Sequence, residues 1–219
     1  MTKIKICGIQ DIETACVAVE CGVDFIGLVF APSHRQISLT SAHIISKAVH
    51  DLDSQGLTTG VFVNQPAKEV NSIARRCSLD YVQLSGDESW EYCRNIEKPI
   101  IKAIHVSSKT TGVKLITDIQ KTIVLLRDKE IIHLLDSDSP NSYGGTGEVF
   151  NWDLLKPIAD EYDVMIAGGL NAHNVAELIK SVNPWGVDVS SGVEINGIKN
   201  PERIKKFIDT VRKLERKEQ

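Results

Sequence analysis

Two residues in this chain stand where proton-transfer chemistry would be done. Cys7 closes the apolar run KIKIC, and Asp136 closes the run IIHLLD. Each ends a strand-like segment and is followed by loop chemistry. A thiol has to lose its proton to act as a base, and a carboxyl has to keep one to act as an acid. Two such groups delivered to one rim of a parallel barrel address opposite sides of a small sugar-sized molecule. Taken alone, Cys7 also fits a small buried hydrophobe, and Asp136 also fits the cap of a turn.

The elements that must carry them alternate along the whole chain. Candidate strands are Lys3–Cys7, Asp24–Phe30, Thr59–Val63, Tyr81–Leu84, Ile100–His105, Ile131–Asp136, Val164–Ala167 and Gly186–Val189. Helical windows fall at Asp11–Cys21, Ser41–Asp51, Ala67–Cys77, Asp87–Ile96, Asn171–Lys180 and Pro201–Leu214. Asp11 and Asn171 suit N-caps, and Pro66 and Pro201 suit helix starts. Ser107–Asp128 has to hold a fifth helix of irregular pattern. Strand-then-helix repetition of this kind predicts an α/β fold, a single (β/α)8 barrel over residues 1–219. The segments CGVDFIGL, CSLDYVQL and WGVDVSSG read as a weak internal echo that aligns Asp24, Asp80 and Asp188.

Strand alternation then assigns faces. Lys3, Lys5 and Cys7 share one face of the first strand, and Asp136 shares a face with Ile132 and Leu134. If Cys7 points into the barrel mouth, Lys5 lies inside below it and needs a carboxylate, for which Asp188 is the candidate. Strands one and six are three steps apart. With ~4.8 Å spacing and a tilt of about 36°, their Cα atoms would be roughly 14 Å apart, which leaves a gap about a pentose wide.

The ends of the last two strands carry an anion signal. IAGGLNAHN places Gly168 and Gly169 after strand seven. VDVSSGVE places Ser190, Ser191 and Gly192 after strand eight, with Asp188 inside it. Small residues there let backbone N–H groups approach a phosphate. Arg35, in APSHRQIS, offers a guanidinium for a carboxylate. The polar stretch Ser137–Phe150, with Gly145 in its GGTG run, reads as a flap over the ligand.

Composition narrows the setting. The chain has 219 residues, 42% hydrophobic and 25% charged, with net charge -4, which suits one full-sized core and gives no reason to expect nucleic acid. Five cysteines without ligand spacing and six scattered histidines argue against a disulfide framework and a metal centre. No segment reads as a signal peptide or a membrane span, so a cytoplasmic protein is expected. The expected partner is a phosphorylated small molecule. Neither cofactor nor metal is expected, and monomer and homodimer both stay open.

Taken together, KICG, GVDFIGLVFAPSHRQIS, TGVFVN, DYVQLSGDE, IKAI, LLD, GGTG, AGGLN and GVDVSSGVE resemble, in order and spacing, the phosphoribosylanthranilate isomerases of tryptophan biosynthesis. The resemblance spans nearly the whole chain. It implies an Amadori rearrangement of N-(5-phosphoribosyl)anthranilate to the 1-deoxyribulose phosphate. It further implies Asp136 as the acid on the ring oxygen, Cys7 as the base at C2′, and Arg35 on the anthranilate carboxylate. Gly168, Gly169, Ser190, Ser191 and Gly192 then match the phosphate region, and Gln83 lines the pocket. Four features depart from the family pattern: Ser85 stands where His is frequent, Asn200 where Asp is common, SSGVEINGIKN lacks the Pro often found before its second Gly, and Ser107–Gly112 looks inserted. The alternatives are another phosphosugar barrel enzyme, such as an epimerase or indole-glycerol-phosphate synthase, and a non-catalytic phosphosugar-binding barrel.

Overall fold

The first strand, β1 (Lys3–Cys7), alternates between two buried environments. Ile4 and Ile6 are fully buried in the outer apolar layer, while Lys5 is fully buried on the opposite face. A computed structural model describes residues 1–52, 56–107, 110–137 and 152–216. In it β1 is followed by α1 (Ile12–Glu20), β2 (Phe25–Val29), α2 (Leu39–Asp51), β3 (Leu57–Phe62), α3 (Ala67–Arg76), β4 (Tyr81–Leu84) and α4 (Trp90–Arg94). Next come β5 (Ile100–Val106), α5 (Gly112–Leu125), β6 (Ile131–Ser137), α6 (Lys156–Ala159), β7 (Val164–Ile166), α7 (Val175–Val182) and β8 (Gly186–Val189). A short hairpin, β9 (Glu194–Ile195) and β10 (Ile198–Lys199), precedes α8 (Pro201–Glu215). Strands β1 to β8 pair in parallel, each with its sequence neighbour, and β8 pairs back to β1 to close the barrel. The fold is the expected (β/α)8 barrel.

Side-chain parity divides the core into two layers. Phe25, Tyr81, Ile101, Ile132, Leu134 and Met165 fill the lower barrel interior with Ala103 and Ala167. The opposite strand faces meet the helices in the main apolar layer. Helix α8 shows why its sequence folds as it does: Ile204, Phe207, Ile208 and Val211 are all buried, at the i, i+3, i+4, i+7 spacing of one helical stripe. Arg212 on the same helix donates to the carbonyls of Thr2 and Gly22 and to Asp24, which ties the last helix across the β1–β2 seam.

Capping follows the sequence with adjustments. The Asp11 side chain accepts from Thr14 N at 2.8 Å, as expected of an N-cap. Asn200 accepts from Arg203 N at 3.0 Å, with Pro201 in the first turn, so the Asn does the capping work expected of an Asp there. Asn171 is not a helix cap. Helix α7 starts only after Asn174, whose side chain accepts from Asn171 N. The fifth helix is regular after all: Thr111 caps it, and Leu115, Ile119 and Thr122 form its buried face. Its pattern looked irregular because Val113, Ile123 and Val124 are apolar and exposed. Before β7, a 3-10 turn (Trp152–Leu154) and the one-turn α6 supply a helical layer that the sequence pattern did not indicate.

The internal echo holds for two of its three members. Asp24 and Asp80 both precede an even-numbered strand. Each accepts a backbone N–H from the start of the strand before, Ile4 N at 2.9 Å and Thr58 N at 2.8 Å. Asp188 lies two residues inside β8 and faces the barrel interior, so its likeness to the other two is only of composition.

Candidate active site

Cys7 is the last residue of β1, and Asp136 is the next-to-last of β6. Both face one cavity of about 380 Å³ at the C-terminal mouth of the barrel, with Arg35, Gln83, Gly168, Gly169, Asp188, Ser190 and Ser191. Of the residues singled out from the sequence, the structure therefore brings together all but two. Gly145 lies outside the described residues. Gly192 does not line the cavity. A Cβ on Gly192 would stand 1.9 Å from the Leu170 carbonyl oxygen, so this glycine lets the loop after β8 lie flat on the loop after β7.

The floor under Cys7 is ionic. Lys5 and Asp188 are register partners on β1 and β8, and Lys5 Nζ donates to Asp188 Oδ1 at 3.0 Å. This is the pairing expected from strand parity. The Cys7 thiol departs from expectation: burial pushes its pKa up, and neighbouring Lys5 and Lys199 offset only part of that. In the resting site Cys7 is therefore a thiol rather than a thiolate at neutral pH.

Arg35 stands in the loop after β2. Its Nε and Nη2 donate to the two carboxylate oxygens of Glu194 at 2.6 and 2.9 Å. Lys199 Nζ also binds Glu194, and it donates to the Ser190 carbonyl at 3.0 Å and to Ser190 Oγ at 3.2 Å. The Ser190 hydroxyl in turn donates to the Cys7 carbonyl at 3.0 Å, so here it is turned toward β1 and not toward an anion. Sequence reasoning missed Glu194 and Lys199. The only available signal was their place in the hairpin that directly follows the phosphate-type loop.

Beside Arg35 the wall is apolar: Val29, Ala31 and Val61 cluster with Val63 and Cys7. Next to it, on β4 as the register partner of Val61, Gln83 donates from Nε2 to Ser85 Oγ at 2.9 Å, while its buried Oε1 has no protein partner among the described residues. His105 joins this wall from β5. Its Nε2 lies 3.0 Å from the Ser85 carbonyl, so the missing imidazole at position 85 is accompanied by one from the neighbouring strand. Past β7, Gly168 and Gly169 both take positive φ, +99° and +62°. The Asn171 and Asn174 amides both donate to the Gly169 carbonyl, which fixes the turn. The arrangement offers a thiol and a carboxyl from opposite strands of an apolar-walled slot, with a guanidinium and glycine-rich loops around its rim.

Residues 4–210 match the profile of the N-(5'-phosphoribosyl)anthranilate isomerases. The chain belongs to the N-(5'-phosphoribosyl)anthranilate isomerase family. It is 45% identical over 212 residues to the isomerase of Dehalococcoides mccartyi, covering 97% of this chain and 96% of that one. Among solved structures it is similar to the isomerase of Thermotoga maritima, with TM-score 0.82 and 37% identity over 97% of this chain and all of that one. A further isomerase structure, in complex with reduced 1-(o-carboxyphenylamino)-1-deoxyribulose 5-phosphate, is 35% identical with TM-score 0.80, covering 97% of this chain and 100% of that one. Among the described residues no helix is long and apolar enough to cross a membrane.

Proposed function

We propose that this chain is the isomerase itself, rearranging N-(5'-phosphoribosyl)anthranilate to 1-(2-carboxyphenylamino)-1-deoxyribulose 5-phosphate, with Asp136 as acid and Cys7 as base. The observation that carries the assignment of roles is that the two side chains arrive from β1 and β6 at one cavity and from opposite sides. Asp136 gives its proton to the furanose oxygen as the bond from that oxygen to C1′ breaks, which leaves a protonated Schiff base. Cys7 removes the C2′ proton, and the electron pair moves into the C1′–C2′ bond to give an enolamine. Tautomerisation of the enolamine yields the ketone. Hydrogens move and nothing is oxidised overall, so the residues present suffice.

The raised thiol fits this order of events. The cation formed by ring opening lies next to the carbon that loses its proton, and a nearby positive charge favours the thiolate. Cys7 thus gives up its own proton to solvent at the step that needs a base, and the thiolate then takes the C2′ proton. Arg35, over the apolar wall, suits a benzoate-type carboxylate. The loops at Gly168–Gly169 and Ser190–Ser191 suit the phosphate through backbone N–H groups. The same reading places the enzyme in the cytoplasm, within tryptophan biosynthesis.

Turnover of freshly generated phosphoribosylanthranilate, followed by loss of anthranilate-type fluorescence, tests this. Wild type is expected to convert it rapidly. Cys7→Ser and Asp136→Asn are each expected to fold and to lose at least ~10²-fold in kcat, the lower scale of general acid–base catalysis. A fully active Asp136→Asn would remove the proposed acid. A folded wild type that binds inorganic phosphate but does not turn over would point to the non-catalytic phosphosugar-binding barrel.

A further inference from the structure

Lys5 has no solvent exposure and lies inside a barrel whose lower interior is otherwise mostly apolar. A buried ion pair such as Lys5–Asp188 is seldom retained for stability alone, because apolar side chains of similar size usually do as well or better. Three features converge above it. Cys7 is two residues on, on the same face of β1. Gly27, the register partner of Cys7 on β2, brings no side chain to that level. A Cβ at Gly27 would lie 2.9 Å from Cys7 Cα, 3.1 Å from Cys7 Sγ and 3.2 Å from Lys5 Nζ, so the thiol and the ammonium both border the space the glycine leaves empty.

The geometry points to Lys5 as a positioning residue that holds the Cys7 sulfur as a thiolate during base chemistry, reaching it from inside the barrel through the gap that Gly27 leaves open. Asp188, the register partner of Lys5 on β8, anchors the ammonium, so Cys7, Lys5 and Asp188 form one cluster of thiol, cation and carboxylate. Burial works against the Lys5 charge, but the Asp188 carboxylate, joined by the Cys7 sulfur once it is ionised, outweighs it and holds the ammonium protonated. The other ionisable groups around the thiol are Lys199 from β10 and Arg35 from the loop after β2, with Asp136 and His105 lining the same mouth from β6 and β5. Each of the three cations holds a carboxylate, Lys199 and Arg35 sharing Glu194 and Lys5 on Asp188, but Lys5 alone stands on the same face of β1 as Cys7 with its ammonium at the Gly27 gap.

This inference rests on Cys7 being the base, and it is tested on the thiol directly. Iodoacetamide alkylation of Cys7 is followed against pH by mass spectrometry, on a Cys16→Ala/Cys21→Ala background that leaves Cys77 and Cys93 buried. Lys5→Met is expected to move the alkylation midpoint up by about one unit or more, which is roughly tenfold slower reaction at a fixed pH below both midpoints. Because Lys5→Met strands Asp188 and can prevent folding, Lys5→Met/Asp188→Asn and Gly27→Ala are measured as well. Both are expected to shift the midpoint upward, the second by wedging a methyl between sulfur and ammonium. A double variant whose profile superimposes on the parent overturns the proposal. So does Lys199→Met shifting the midpoint further than Lys5→Met does. If the shifts appear but phosphoribosylanthranilate is not turned over, the assigned reaction fails while the Lys5–Cys7 coupling stands.

Discussion

Arg35 and Glu194, 159 positions apart, meet as a two-pronged pair in which Nε and Nη2 each donate to one carboxylate oxygen, at 2.6 and 2.9 Å. An arginine at the end of a loop has many rotamers, and this pair removes most of them before substrate arrives. Lys199 holds Glu194 from the other side. The guanidinium is thus held in one orientation in a residue that lines the cavity with Val29, Ala31 and Val61. Glu194→Gln is expected to raise KM for the carboxylate-bearing substrate about tenfold or more, with kcat changed much less, because what is lost is orientation for binding. Steady-state kinetics check this. An equal fall in kcat with KM unchanged would place Glu194 in the chemistry instead.

Gly192 gives a prediction about the anion end. Its vacant side-chain position would overlap the Leu170 carbonyl oxygen at 1.9 Å, and that atom is backbone and cannot swing away. Gly192→Ala must therefore separate the loops after β7 and β8, which together carry Gly168, Gly169, Ser190 and Ser191. The expected result is a lower unfolding temperature and weaker binding of inorganic phosphate, by about tenfold or more, a scale set by loss of a single well-made contact. Calorimetry with and without phosphate reads both. Unchanged phosphate affinity would mean that the two loops do not act as one cradle.

Gln83 is buried, with one amide oxygen unpartnered among the described residues and its nitrogen on Ser85. A buried acceptor without a donor is costly, and a ligand hydroxyl or N–H facing it would remove that cost. Gln83→Leu is expected to fold as well as or better than wild type in chemical denaturation. It is also expected to lose about tenfold or more in kcat/KM. Loss of stability without loss of kcat/KM would make Gln83 a packing residue.

Strand parity was the part of the molecule most legible in sequence. It put Cys7 and Lys5 on one face of β1, aligned Asp136 with Ile132 and Leu134, and paired Lys5 with Asp188. All three rest on a two-residue period that burial enforces. Composition echoes carried less. Asp188 shares a short pattern with Asp24 and Asp80, yet β8 starts one residue after Trp185, so the same letters fall at a different height in the strand. Helix α5 was obscured by exposed apolar residues, and α6 is too short to show a period. The Glu194–Lys199–Ser190 bridge was invisible because it depends on a two-residue hairpin folding back on the loop before it, a contact that no periodicity encodes. The raised Cys7 thiol was hidden for a similar reason, since burial at the base of a cavity is set by all eight strands together.

The acid limb of stability carries two separable steps. His133 is buried on the helix-facing side of β6, its Nε2 has no hydrogen-bond partner among the described residues, and burial lowers its pKa from the ordinary 6.5 to about 4. The unfolded chain therefore binds a proton near pH 6.5 that the folded chain refuses until about pH 4. Stability is complete above 6.5 and falls through this window as pH drops, by on the order of 3 kcal/mol at its end. Glu194 acts lower down. Burial alone would raise its pKa, but hydrogen bonds from Arg35 and Lys199 reverse that and hold it at about 2, against an ordinary 4.5. Its contribution is complete above 4.5 and is lost as pH falls toward 2. Urea midpoints measured at half-unit pH steps should thus show two declines. His133→Leu should flatten the first and leave the second, while Glu194→Gln should flatten only the second. A His133→Leu profile that still falls between pH 6.5 and 4 as steeply as wild type would mean that another group carries the first step.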